Sequence, residues 1–389
     1  MLKRVQILIF LAAVSIHLFF YVSAYFTHTL DIFFDHVTMG QDFFQVPNGA
    51  YAFLRGGLLN GKMPDGLPRF ADCCGVNDNV YHPFFTLLIG TPLQLFPPWV
   101  AFGIWGFMHL VITIVLVIFL WKKFHDHKYL FLALSIYLLN SYHYYEIQHA
   151  QYHFLLSFFT ILFLFETMKC GDTKKAALYF VAGLFVKPIG LLWIVPLLLH
   201  NYFRIVFIGM GIYILYSLPF LGLSYGRYYF ENLYNVVSGS IPSYNLLTLT
   251  FLYPFNFMIV KVINYITAIG ILVLQVFRKL PLYVIILLFI GHTLIFYNLV
   301  FHYNYSIIPG LIALGILLDY IEVNIKTLLA IILLTLPTPL IIFRMEYFSL
   351  SYVQYASIGA LWSITWLSIL LSVTTLPYIL KPKVGLINT

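Results

Sequence analysis

The chain has 389 residues, of which 61% are hydrophobic and only 9% charged, with a formal net charge of +7. A soluble globular domain carries about a quarter charged residues, so this composition excludes one. The positive sum does not point to nucleic acid, because in a polytopic membrane protein the distribution of cations between the two faces carries the meaning.

The apolar runs are continuous and lack the in-out alternation of barrel strands, so the fold class is all-α and the spanning elements are helices. At about 20 residues per crossing, and fewer where a helix is short or broken, the apolar runs allow about ten to twelve. A first span over 5–26 follows Lys3-Arg4, which places the N-terminus on the cytoplasmic side. That run is too long for a signal-peptide core and lacks a small-residue cleavage site, so it is expected to remain as an anchor.

Residues 27–98 form the long first outer loop, which holds six of the fourteen acidic residues, Asp31, Asp35, Asp42, Asp65, Asp72 and Asp78. Within it, 43–59 has the apolar spacing of a helix lying along the membrane surface, ended by Gly56-Gly57. Asn60-Gly61, Pro64-Asp65-Gly66 and Cys74-Gly75 mark turns. The segment 83–96 is short, contains Pro92 and stops at Pro97-Pro98, so it is expected to be re-entrant or interfacial.

Crossings then follow over 99–121, 130–144 and 154–165, with a second outer loop at 143–151. Residues 176–186 and 189–199 form a hairpin of short helices broken at Lys187-Pro188. Further crossings are expected over 205–223, 254–277, 282–300, 307–318, 328–343 and 355–376, which leaves both termini cytoplasmic. Only seven of the 21 Lys and Arg residues fall outside in this arrangement, as the positive-inside rule requires. No linker or repeat divides the chain, so residues 1–389 are read as one integral membrane domain.

The three cysteines offer neither a zinc spacing nor a disulfide framework, since Cys73 and Cys74 are adjacent. No metal site is expected: there is no Asp-x-Asp pair, and no histidine makes a helical i, i+4 pair with an acidic residue in an outer loop. Lys187 is the outstanding oddity. A cation inside an apolar hairpin costs about 3 kcal/mol or more and is functional by default, though a lysine snorkelling to the surface is the alternative.

Three stretches carry a likeness to a known family. The first is Gly40-Gln41-Asp42-Phe43, then Ala50-Tyr51-Ala52-Phe53-Leu54-Arg55-Gly56-Gly57 and Tyr81-His82-Pro83. The second is His149-Ala150-Gln151-Tyr152, where the family has glycine in place of Ala150. The third is Ala182-Gly183-Leu184-Phe185-Val186-Lys187-Pro188. In order and spacing these resemble the GT-C class of polyprenol-phosphate-sugar-dependent glycosyltransferases, family 87 in particular (DUF2029), over roughly residues 35–200.

The resemblance implies a GT-C-like helical bundle that moves a hexose, with mannose the expected sugar, from a polyprenyl-phosphate donor to a glycan or glycolipid hydroxyl. The reaction would run at the outer face of the membrane, with inversion and without a cofactor. Asp42 stands where the family has its essential carboxylate, and would act as general base; capping the following helix is the alternative, and Asp35 is the second candidate base. Lys187 would hold the donor phosphate, with His302, Arg227 and Tyr225 further candidates for phosphate and sugar. Gln151 is expected to bind a sugar hydroxyl or to satisfy a helix end. His82 either lines the pocket or caps the turn before Pro83. A competing function is a transporter or lipid flippase with Lys187 in its substrate site, although the inverted repeats common in transporters are missing. A non-catalytic scaffold is the third reading.

Overall fold

A computed structural model describes residues 2–32, 40, 42–64, 67–72, 79, 81–222, 246, 257–296, 302–336 and 351–380. All regular structure among them is helical: α1 (Leu2–Val22), α2 (Gln45–Phe53), α3 (Pro83–Leu93), α4 (Pro98–Lys123), α5 (Leu130–Leu138), α6 (Ser141–His149), α7 (His153–Phe165), α8 (Thr173–Val186), α9 (Ile194–Leu199), α10 (Phe203–Leu221), α11 (Phe257–Arg278), α12 (Leu282–Phe296), α13 (Ile307–Leu317), α14 (Ile325–Thr335) and α15 (Tyr352–Leu380).

Among the described residues six helices are long and apolar enough to cross a membrane, at Lys3–Thr27, Pro98–Lys123, His153–Cys170, Phe203–Leu221, Met258–Arg278 and Ala356–Leu380. Each coincides with one of the twelve expected crossings. The other expected crossings correspond to shorter helices or to segments that extend beyond the described residues. Along α4 and α11, large apolar side chains such as Phe107, Ile114, Trp121, Ile266 and Phe277 are exposed. A continuous apolar face of that kind belongs against lipid, and the protein is an integral membrane protein.

Local sequence sets the helix ends. Pro98 opens α4, where a missing amide proton costs nothing, and Lys122 and Lys123 sit in its last turn against the negative end of the dipole. The Asp172 side chain accepts from the Lys174 and Lys175 amides to start α8. That helix stops at Lys187, whose backbone is extended at φ −149°, because the following Pro188 forbids the helical conformation to its predecessor. The chain continues through a 3-10 turn, Pro188–Trp193, into α9.

Two regions differ from expectation. The crossing expected over 130–144 is broken after Leu139, where the Asn140 side chain accepts from the His143 amide and starts a separate helix, α6. A polar cap residue won over the apolar run around it. In the 27–98 segment the helix is shorter than expected, and most of α2 is buried. It lies under α3 at a close crossing, where a Cβ on Gly90 would meet the Val46 carbonyl at 2.6 Å. The loop after α2 is stapled to it by Asn48, which accepts from the Ala71 amide at 2.9 Å and donates to the Ala71 carbonyl at 3.2 Å. Asn79 adds bonds to the Leu59 carbonyl and the Thr86 hydroxyl, both 2.8 Å.

Helix α5 packs on α1 and α13, α7 lies against α8 and α13, and α8 also packs on α10. Helix α6 touches α1 and the 3-10 turn His302–Ser306. This packing brings the start of α2, the end of α6 and the break after α8 together.

Candidate functional site

Asp42 lies three residues before α2 on a short backbone segment held from both sides. The Gly40 amide donates to the Gln148 carbonyl of α6 (3.2 Å), and the Tyr152 hydroxyl donates to the Phe43 carbonyl (2.9 Å). Gly40 adopts φ +75°, and a side chain there would press on the rings of Phe44 and Phe102. The first residue of the motif is therefore a conformational requirement of the turn that aims Asp42.

The carboxylate of Asp42 is 15% exposed and accepts two amide bonds. Gln45 Nε2 donates to one oxygen at 2.8 Å, and Gln151 Nε2 donates to the other. His149 Nδ1 lies 3.5 Å from the second oxygen. Asp42 does not cap α2: the N-cap is Phe44, with no side-chain bond. Instead its plane is fixed by two neutral donors, with an imidazole alongside.

Gln151 connects this carboxylate to Lys187. Its Oε1 accepts from the Tyr81 hydroxyl at 3.0 Å, and the Lys187 ammonium rests over the Tyr81 ring, 4.7 Å from its centre. Burial pushes the Tyr81 hydroxyl well above its usual range, and the Asp42 and Glu146 carboxylates push the same way, so it stays a neutral donor. Among the described residues Lys187 forms no ion pair. Asp42 is the charge that acts on its ammonium. The arrangement is a half-buried cation held by a ring face, with Tyr81 and Gln151 between it and an oriented carboxylate.

Of the other residues singled out in the sequence, His82 does two structural jobs. Its Nδ1 accepts from the Phe84 amide (3.1 Å), capping α3, and its Nε2 meets the Ser217 hydroxyl of α10 (2.9 Å). Burial pushes the ring down to about 4, which keeps it neutral as that cap requires. His302 opens the 3-10 turn that packs on α6, and Asn304 in the same turn donates to His153 Nε2 at 2.7 Å. The His302 side chain, together with Asp35, Tyr225, Arg227, Cys73 and Cys74, lies outside the described residues.

Sequence reasoning did not single out Gln45 or His149 as partners of Asp42. Gln45 stands one helical turn on from Asp42, a spacing that could have suggested it; the approach of His149 depends on how α6 packs. A second grouping was not anticipated either: His109 of α4 with His143 and Glu146 of α6. The spacing of His143 and Glu146 was visible, but nothing in the apolar run around His109 pointed to them. The departure at Ala150 also acquires a physical reading. Its φ is +50°, in the left-handed region that glycine occupies at no cost. A glycine would suit that helix end, and this chain turns there with alanine.

Compared with protein-family models and with curated proteins, the chain matches none of either.

Proposed function

We propose that the protein is a GT-C-class glycosyltransferase, related to family 87, that moves a hexose, mannose in the first instance, from a polyprenyl-phosphate carrier to a glycan or glycolipid hydroxyl. The observation that carries this reading is the linkage of Asp42 to Lys187 through Gln151 and Tyr81. A base and a cation within one cluster suit a displacement that gives up a proton at one end and a phosphate at the other.

In this mechanism the acceptor oxygen attacks the anomeric carbon from the face opposite the phosphate. The new carbon–oxygen bond forms as the old one breaks, so the configuration inverts. The acceptor's proton passes to an Asp42 oxygen, and the electron pair of the broken bond leaves on the phosphate. Lys187 offsets the charge that grows there, and the Tyr81 ring holds the ammonium in place before substrate arrives. Gln151 and Gln45 keep the carboxylate from rotating, and Gln151 has the chemistry to bind a sugar hydroxyl as well. Residues 27–98 would face the outer side of the membrane, with both termini cytoplasmic and the shorter helices completing about twelve crossings.

The decisive experiment incubates purified protein with radiolabelled polyprenyl-phosphate mannose and a glycan acceptor. Release of polyprenyl phosphate is expected. Asp42→Asn should lower the rate by about 10² to 10⁴ while leaving the fold and donor binding intact. A variant within about tenfold of the parent removes Asp42 as the base. Donor lipid that is moved across vesicles but never cleaved would make the protein a transporter.

A further inference from the structure

Three buried side chains with metal-binding chemistry converge between α4 and α6. His109, His143 and Glu146 are 2%, 1% and 0% exposed, and one ligand atom from each lies within 4.8 Å of the others. His143 and Glu146 stand one turn apart on α6, with Nδ1 and Oε2 separated by 3.7 Å. On its other side the His143 ring places Nε2 3.0 Å from the Tyr137 carbonyl, which can only accept. The ring proton is therefore on Nε2, and Nδ1 turns a lone pair toward the carboxyl of Glu146.

The His143 lone pair thus faces the carboxyl of Glu146, with His109 Nε2 beside both. His143 Nδ1, His109 Nε2 and both oxygens of Glu146 have no hydrogen-bond partner, although the Ser306 hydroxyl and the Phe154 amide face the carboxyl. Next to them the ring of His17 is 5.0 Å from that of His143; its Nδ1 meets the Leu138 carbonyl at 3.2 Å and its Nε2 is also without a partner. Once Glu146 gives up its proton, these nitrogen and oxygen atoms, gathered in a dry interior, are stable together when a cation joins them.

We infer that His109, His143 and Glu146 bind one divalent transition-metal ion of the zinc type, which ties α6 to α4. Two imidazoles and one carboxylate select such an ion over magnesium or calcium, which favour oxygen ligands. An imidazole whose other nitrogen donates to a backbone carbonyl is oriented as metal-bound histidines are. Tetrahedral zinc spaces its nitrogen and oxygen ligands about 3.4 Å apart, so the His143–Glu146 pair is close to binding distance and His109 closes by side-chain rotation. Three protein ligands leave a fourth position for water. The ion would anchor the helix whose end presents His149 and Gln151 to Asp42, and the inference stands whether or not the protein transfers sugar.

The test uses full-length protein purified in detergent, stripped with EDTA and reloaded with Zn²⁺ or Co²⁺. About one Zn²⁺ per chain is expected, together with the visible absorption of a four-coordinate nitrogen and oxygen site on Co²⁺ loading. His143→Ala, His109→Ala and Glu146→Gln should each abolish uptake, whereas Asp42→Asn should bind zinc as the parent does. Should the substituted chains fail to fold, the X-ray absorption edge of zinc in the unaltered protein decides, since the site demands two imidazole ligands. Absence of stoichiometric zinc in the parent, zinc without imidazole scattering, or folded variants that bind like the parent would each overturn the inference. The cluster would then be a neutral buried acid among histidines.

Discussion

The cluster around Asp42 and the cluster around Glu146 share one short helix, α6, yet they solve the problem of a carboxyl group in opposite ways. Asp42 remains partly exposed and takes two amide donors, so its charge is oriented and still reachable. Glu146 is fully buried, with the Ser306 hydroxyl and the Phe154 amide facing its carboxyl and the His143 imidazole 3.7 Å away. Burial pushes its carboxyl well above the usual carboxylate range. The first arrangement suits a ligand that comes and goes; the second suits an ion or a proton that stays. Polar satisfaction, more than residue type, separates a site that turns over from one that holds a helix in place.

Breaking the contrast at its open end has the largest effect. Asp42→Asn keeps both amide neighbours within reach but removes the charge, and is expected to cut transfer by about 10² to 10⁴ in kcat without loss of bound zinc. Lys187→Met keeps the apolar stem over Tyr81 and deletes the ammonium. Its expected loss is about 10² to 10³ in kcat, read as slower release of polyprenyl phosphate at saturating donor. An equal loss in both variants and in their combination would show that the two groups act as a unit.

His82 sharpens the comparison from another side, as a buried histidine with both ring nitrogens engaged. Its ring sits at about 4 in the folded protein against an ordinary 6.5. Between those values the unfolded chain binds a proton that the folded chain refuses, so this contribution is fully present above pH 6.5 and is lost as the pH falls toward 4. Thermal melts of His82→Asn, which retains a capping side chain, should show a shallower decline over that window than the parent.

The smallest effect is expected at the hinge between the clusters. Ala150→Gly relieves a left-handed alanine but loosens the unfolded chain, for a net gain of about 1 kcal/mol or less in unfolding measurements. Activity that rises with it would mean the placement of Gln151 was limited by that strain.

Much of this was legible in the residues. Long apolar runs announced the six long helices, because hydropathy summed over a turn-rich window does not depend on what packs where. The Lys187-Pro188 break was equally visible, since proline constrains its own neighbour. Asp42, Gln151 and Lys187 were singled out as residues, but Tyr81, which joins them, entered only as part of the Tyr81-His82-Pro83 step. Less visible was the split at Asn140, where one capping side chain ended a run that hydropathy reads as continuous. The burial of α2 was hidden too, because it depends on Gly90 allowing α3 to lie close and on Asn48 fastening the loop over it.

What the sequence by itself determined was the membrane environment, the helical class and the positions where helices must start or break. These follow from local chemistry: apolar length, proline, and side chains that cap their own backbone. Only the tertiary structure decided which polar groups meet. His109 lies 34 positions before His143, on a helix that reads as plain membrane span, and Asp42 finds Gln151 across 109 residues. Pairings across such distances depend on which faces of packed helices turn toward each other, and the one-dimensional order of residues does not encode that in any short pattern.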